Sequence, residues 1–413
     1  MREAAEERPA WAWIDLAALR HNARRAIAFA GGRAVIAVVK ADAYGHGAEP
    51  VARTLLQEGI TRLAVVSVAE GAKLRRAGIV APILLLGGLD DVAGAERAVK
   101  WGLTPVLHDE RGFELARRFG RSESPLAVEV EVDTGMRRMG VAREAAAALL
   151  ARIRATPQLS LTGIFSHLAC ADAIDPEPSR VQWAALGRIV EEHVARGGHR
   201  PSVHMANSAG LMRLPELEGK GAGEEPGRDP GALLVTQAVR PGLMLFGVSP
   251  FMGPGSVLGR DARALELEPV MTLAARVVAT RRVAKGEAVG YGATWRAPRA
   301  TTVATLPLGY ADGIPRSAAG GGRVHLAGAL RPIVGRVSMD YVGVDVGDAP
   351  VEVGEVATVF GRTPEGTLVP VEDFAAAAGT LGYEILVGVG ARVPRRYGEG
   401  APPEESRPLD RAV

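Results

Sequence analysis

A (β/α)8 barrel followed by a mostly β domain is the fold the sequence predicts, and three observations predict it. Eight short apolar runs recur through the first two-thirds of the chain. Stretches rich in Ala, Leu and Arg separate most of them and are long enough for helical crossovers. From about residue 265 the texture changes to β-like runs divided by glycine-rich turns. Continuous apolar strands separated by helices belong to a parallel sheet covered on both faces, and eight of them argue for a TIM-like barrel. An open doubly wound sheet would show a glycine-rich fingerprint after its first strand. Here that strand is followed by KADAYGHG.

The eight runs are VIAVVK (35–40), LAVVS (63–67), ILLLG (83–87), TPVLH (104–108), LAVEVEVDTG (126–135), TGIFSHL (162–168), SVHMANS (202–208) and AVRPGLMLFG (238–247). The barrel is expected over 11–265, and a strand at 11–16 could join the β domain instead. The Gly- and Pro-rich stretch 247–265 reads as a linker, and 217–231, charged and aperiodic, as a surface loop. The β domain is expected over 266–400. VMTLAARVVATRRVAKGEAVGYGATW reads as paired strands around the KGE turn, and VEDFAAAAG as one short helix. Residues 1–10 and 401–413 read as disordered tails.

Composition narrows the function. Of 413 residues, 47% are hydrophobic and 23% charged, and the formal net charge of +2 is too balanced to argue for nucleic acid or an anionic membrane. Cys170 is the one cysteine, so no internal disulfide forms, and a reducing, cytoplasmic setting is expected. No apolar run has the length of a membrane span.

Barrel chemistry gathers where strands end. The first run ends at Lys40, with Tyr44 just beyond. Arg137 and Arg138 follow the fifth, His167 ends the sixth, and the seventh runs into Asn207 and Ser208. The eighth carries Arg240 and then Gly242. The loops after strands seven and eight are a frequent phosphate site, and a hydroxyl, an amide and open backbone N–H groups suit one. A lysine across the barrel mouth from a phosphate site is the layout of a pyridoxal phosphate enzyme.

With these residues in place, the chain resembles the alanine racemases from about residue 11 to 397. AVVKADAYGHG resembles the family's cofactor-lysine signature. VDTGMRRMG, FSHLACAD, HMANSAG and VRPGLMLFG follow in order, then VGYGATW, LPLGYADG, GRVSMDYV and LGYEI with RVPRRY in the β domain. The resemblance implies pyridoxal 5'-phosphate held covalently by Lys40, and interconversion of L- and D-alanine by two bases, Lys40 and Tyr291. Arg138 would bond the cofactor's phenolic oxygen and the substrate carboxylate. Arg240 would face the pyridine nitrogen, and His167, linked to Arg240, would favour the Tyr291 phenolate. Tyr44, Asn207, Ser208, Gly242, Leu243 and Tyr383 would hold the cofactor. Met339 would offer its N–H to the substrate, with Tyr310 and Asp340 supporting the entrance. In the family Tyr291, Tyr310 and Met339 come from a partner subunit, so a homodimer is implied, supplying D-alanine for peptidoglycan.

One position departs from the pattern. Many family members have a carbamylated lysine where this chain has Glu131. A glutamate there is expected to pair with Arg138 and to aim it. Two other enzymes remain open, a broader racemase that also takes serine and a related barrel decarboxylase. The decarboxylases use a carboxylate at the pyridine nitrogen and a late cysteine, so Arg240 and the lone Cys170 argue against the second. A non-enzymatic pyridoxal phosphate carrier would have no use for the β domain that bears Tyr291.

Overall fold

The computed structural model describes residues 9–218, 236–251 and 262–403. The tails, the loop 217–231 and the linker 247–265 fall mostly outside these residues. No helix among those described is long and apolar enough to cross a membrane.

The chain opens with β1 (Ala10–Asp15). The barrel strands follow as β2 (Ala34–Val38), β3 (Arg62–Val65), β4 (Ile83–Leu85), β5 (Thr104–Leu107) and β6 (Leu126–Asp133). A short β7 (Val141–Ala142) lies beside β6, and then come β8 (Leu159–Phe165), β9 (Ser202–His204) and β10 (Ala238–Val239). Pairing runs β2-β3-β4-β5-β6-β8-β9-β10, and β10 returns to β2. All these pairings are parallel. The eight expected runs are the eight strands of a closed barrel. Most crossovers are helices, and several of these have capped starts. Ser67 and Glu70 form a capping box at Val68–Arg76, and Asp91 and Asp109 cap Val92–Lys100 and Glu110–Phe119.

The eighth run is strand only at Ala238–Val239. Pro241 has no N–H to continue a ladder, although its carbonyl accepts from Val38 N at 3.0 Å. The chain then bends into a 3₁₀ turn at Leu243–Phe246.

The β domain contains β11 (Met271–Arg276), β12 (Ala279–Val283), β13 (Ala288–Val289), β14 (Trp295–Arg296), β15 (Thr301–Leu306), β16 (Arg323–Leu326), β17 (Ala329–Val334), β18 (Val342–Gly347), β19 (Val356–Arg362), β20 (Leu368–Val369) and β21 (Arg395–Gly398). Its main sheet runs β12-β15-β18-β17-β16-β19-β11-β1-β21. The KGE turn does not join paired strands, contrary to expectation. β12 pairs with β15, and β13 with β14. Gly290, at φ 76°, follows β13, and the chain returns as β14 to take up the β13 ladder. VEDFAAAAG holds the helix Val371–Ala377.

β1 lies in this second sheet, antiparallel to β11 and parallel to β21. Asp15 ends it and caps the helix Leu16–Ala30, accepting from Ala17 N and Ala18 N at 2.8 and 3.1 Å and from Gly400 N at 2.9 Å. One carboxylate thus ties the barrel's leading helix to the end of the β domain.

Candidate active site

A cavity of about 600 Å³ opens at the C-terminal ends of the barrel strands. It is lined by Lys40, Tyr44, Glu131, Arg138, His167, Asn207, Ser208, Arg240, Gly242, Leu243 and Tyr383, residues scattered over most of the chain.

Lys40 opens a left-handed turn. Ala41, Asp42, Ala43 and Tyr44 all have φ between 52° and 57°. Such a conformation costs an L-residue roughly 1–2 kcal/mol, so four in a row need support. Glu70 accepts from Ala41 N at 2.8 Å and from Val66 N and Ser67 N at 2.8 and 3.0 Å, fastening the turn to the end of β3. Asp42 accepts from Ala48 N and from Lys73 Nζ, at 2.9 and 2.7 Å. From the β domain, Arg395 Nε donates to Gly45 O at 2.9 Å and Tyr397 Oη to His46 O at 3.1 Å. The turn is therefore clamped by both domains, and it fixes where the Lys40 amine starts. Burial and then Arg138 lower the Lys40 pKa, against a smaller opposing effect of Glu70, which favours a neutral, nucleophilic amine.

Arg240 lies beneath the cavity, 4% exposed, with its guanidinium 4.4 Å above the Phe165 ring. It donates to Ser166 O at 2.7 Å, to His204 O at 3.2 Å and to His204 Nδ1. His204 Nε2 faces Glu129 Oε2 at 2.7 Å, and Glu129 also pairs with Arg62. Burial and the Arg240 charge outweigh Glu129 and hold His204 down to about 4, so its ring is neutral. Donor logic then fixes the tautomer: Nε2–H donates to Glu129, and bare Nδ1 accepts from Arg240. Glu129 stays ionised, at about 2, because His204 and Arg62 outweigh its own burial. Burial brings Arg240 down to about 10, still protonated at neutral pH.

His167 was expected to be linked to Arg240 and to offer positive charge. Among the described residues no hydrogen bond joins them, because Arg240 is committed to His204 and Ser166. Burial, then Arg240 and Arg138, lowers His167 to about 3, so it is a neutral ring. Any help to a phenolate comes as a hydrogen bond.

Glu131 also differs from expectation. Its partner is His108, with Nδ1 3.1 Å from Oε2. Arg138 makes no hydrogen bond or ion pair to any described residue. The cause is depth: Glu131 is buried within β6, whereas Arg138 is exposed on the loop beyond it. Burial works against the Glu131 charge. The His108 hydrogen bond and charge, with Arg240 and His167 behind them, still bring its pKa below the ordinary value.

The opposite wall is built from backbone. Ser208 Oγ accepts from Gly242 N at 3.0 Å and from Met244 N at 3.3 Å, which leaves its own proton to donate. Asn207 Oδ1 is used as a cap, accepting from Gly210 N at 2.9 Å. A Cβ on Gly242 would sit 2.4 Å from Tyr44 Oη, so only glycine lets the Tyr44 hydroxyl reach this wall. Burial pushes the Tyr44 hydroxyl up. Burial and Asp172 push Tyr383 up to about 12. Both are neutral donors at physiological pH.

Four site candidates lie outside the cavity. Tyr291, Tyr310 and Met339 are 72%, 47% and 51% exposed. They share one face: Gly290 and Gly292 pack on Gly335 and Arg336, and Tyr310 N donates to Ser338 O at 3.0 Å. Asp340 lies beside them and accepts from Arg392 at 2.6 Å.

A cavity lined by a desolvated lysine at the mouth of a parallel barrel, joined to a β domain, has the make-up of a barrel enzyme's site. The family follows from comparison. Residues 14–250 match the model described as "Alanine racemase, N-terminal domain", and 270–397 match "Alanine racemase, C-terminal domain". An alanine racemase of Sorangium cellulosum is 39% identical over 405 residues, 95% of this chain and all of that one. One from Desulforamulus reducens is 38% identical, covering 94% and 99%. Among solved structures, the biosynthetic alanine racemase of Pseudomonas aeruginosa superposes with a TM-score of 0.80 at 36% identity, covering 95% of this chain and 100% of that one. That of Streptomyces lavendulae gives 0.83 at 34%, covering 95% and 98%. The chain belongs to the alanine racemase family and is an isomerase of the racemase class.

Sequence reasoning missed His108, Glu129, His204, Arg62 and Glu70. Strand alternation places Glu129 on the same face as Glu131, and His108 ends one run read as a strand while His204 lies within another. Their partners come from other strands, and only the barrel's strand order brings them together.

Proposed function

We propose that the chain interconverts L- and D-alanine with pyridoxal 5'-phosphate, as a homodimer in the cytoplasm, and supplies D-alanine for peptidoglycan. The observation that carries this reading is one cavity that gathers a desolvated lysine, a guanidinium under its floor and a wall of hydroxyl and backbone donors.

The residues suit the cofactor. Ser208 Oγ–H, Tyr44 Oη and the Leu243 N–H, which has no hydrogen-bond acceptor among the described residues, form a donor set for a phosphate. The close approach of Tyr44 to Gly242 is the cradle a Cβ would fill. Lys40 would hold the cofactor covalently. Arg240 would donate to the ring nitrogen without protonating it, since a guanidinium keeps its proton. When bound, the cofactor supplies a conjugated ring that draws electron density from the substrate's α-carbon.

This chain's residues then handle the proton and the carboxylate. Lys40, with its pKa lowered, takes or returns the α-proton on one face. Arg138, free of ion pairs among the described residues, meets the substrate carboxylate. Tyr291 serves the other face. Its exposure, with that of Tyr310 and Met339, supports a second copy of the chain placing these three at the cavity mouth. The decarboxylase reading is disfavoured by Arg240, which has no carboxylate to offer a pyridine nitrogen.

The test is α-hydrogen exchange of alanine in deuterated water together with chiral analysis of the product. Both enantiomers should form with deuterium at the α-carbon. Lys40→Ala should lose at least about 10³-fold of this activity and the visible absorbance of the bound cofactor. A variant that keeps a tenth of the activity would overturn the assignment.

A further inference from the structure

We propose that His46 is a positioning residue of the site: its Nδ1–H fastens the left-handed turn that begins at Lys40, and its ring face seats the 3₁₀ turn that carries Leu243. That these two turns hold a cofactor rests on the racemase reading.

His46 is fully buried and follows closely on the left-handed run. Its ring folds back on that run. Nδ1 lies 3.0 Å from Ala43 O and 2.9 Å from Tyr44 O. Both partners are backbone carbonyls, which only accept, so Nδ1 carries the proton and shares it between them. Burial holds the ring down to about 4, against the smaller opposing effect of the two carbonyls, so at neutral pH it has this one proton. Nε2 is then bare. It is buried and has no hydrogen-bond partner among the described residues.

That bare nitrogen separates two accounts of the residue. A buried acceptor left without a donor is costly, and a leucine would fill a similar space without one. Packing alone therefore does not require histidine here. What leucine lacks is the Nδ1–H, and the turn depends on such restraints. Ala43 and Tyr44 hold φ at 57° and 53°, where an L-residue is strained, and strained backbone persists only where its surroundings fix it. Glu70 holds the first residue of the run through Ala41 N, and His46 holds the carbonyls of its last two.

The ring's face has a second task. It stacks on Phe246 with centroids 4.4 Å apart and an interplanar angle of 28°, and Tyr44 meets the same Phe246 ring at 5.0 Å. Phe246 ends the 3₁₀ turn Leu243–Phe246, which begins with the Leu243 N–H of the donor wall. His46 itself does not line the cavity. It acts from behind, joining the turn that places the lysine to the turn that places the wall.

The experiment uses the cofactor-loaded enzyme, labelled with ¹⁵N-histidine, with the His46 signals assigned from His46→Asn. At about pH 7.5 Nδ1 should carry a proton and Nε2 should be bare. A proton on Nε2 at that pH, alone or together with one on Nδ1, would overturn the proposal. Two variants then divide the ring's tasks. His46→Leu keeps the bulk and gives up the N–H, and should lower kcat about tenfold with KM for L-alanine changed less than about threefold. His46→Asn keeps an N–H near the Nδ1 position and gives up the ring. It should hold kcat within about threefold and bind pyridoxal 5'-phosphate about tenfold more weakly in equilibrium dialysis. Equal losses of kcat, or a leucine variant better than the asparagine one, would reduce His46 to packing. Should His46→Leu fail to fold, the proton placement and the asparagine variant still decide. Should the wild type fail to turn over alanine, the racemase reading falls, and the nitrogen signals and the dialysis still test His46.

Discussion

The barrel mouth and the outer face of the β domain carry the two halves of the proposed site, and they are built in opposite ways. At the mouth the polar groups are buried and cross-linked: Arg62, Glu129, His204 and Arg240 form one chain of contacts, and Glu131 is held by His108. On the β face, Tyr291, Tyr310 and Met339 stand largely exposed. A group that must hold a fixed cofactor gains from a rigid, desolvated setting, where each charge is strengthened and each partner restrained. Side chains that meet a second chain have to remain uncovered until it arrives. On the proposed reading, one chain would build the cofactor cradle, and a second chain would complete the racemase.

Breaking the β-face half should have the largest effect. Tyr291→Phe should lower racemisation by roughly 10²–10⁴-fold. Exchange of the α-proton from the enantiomer served by Lys40 should fall far less, and the fold should be untouched. Comparing deuterium exchange from L- and D-alanine checks this. Equal losses for both would reduce Tyr291 to a packing role.

Damage to the barrel-mouth half should appear in stability. Glu129→Gln leaves Arg62 and Arg240 without their shared anion and should cost about 3–5 kcal/mol, read from urea midpoints. A loss under about 1 kcal/mol would mean that the chain of contacts is not holding Arg240.

Acid should act on the same half, and more gradually. His204 and His167 lie at about 4 and 3 in the folded protein, below the ordinary 6.5, and Glu129 at about 2, below 4.5. All three bind fewer protons folded than unfolded, so stability is full above about pH 6.5 and falls as pH drops through the two histidines and then the carboxylate. Urea midpoints should decline steadily from about pH 7 to 5. A flat profile over that range would contradict the neutral-histidine assignment.

The barrel was legible because strands buried on both faces read as unbroken apolar runs, as in VIAVV and ILLLG. Lys40, Arg138, His167, Ser208 and Arg240 were legible because they lie within those runs or just beyond them. The partners of the buried charges were not. Arg240 meets His204 because β10 pairs with β9, and Glu131 meets His108 because β5 pairs with β6, and no spacing within one segment states either pairing. The KGE turn misled for a related reason. Alternation marks β12 and β13 as strands and says nothing of which neighbour each one takes.

The central claim, that each site is completed by a second chain, is tested by pairing two dead variants. Lys40→Ala and Tyr291→Phe chains, co-expressed with different tags and purified on both, give mixed dimers. If Lys40 and Tyr291 meet across a symmetric interface, one of the two sites in each mixed dimer is intact, and racemisation should return to about half the wild-type rate per dimer. If both residues served a site within their own chain, every site would carry one lesion, and the mixed dimers would be as inactive as either parent.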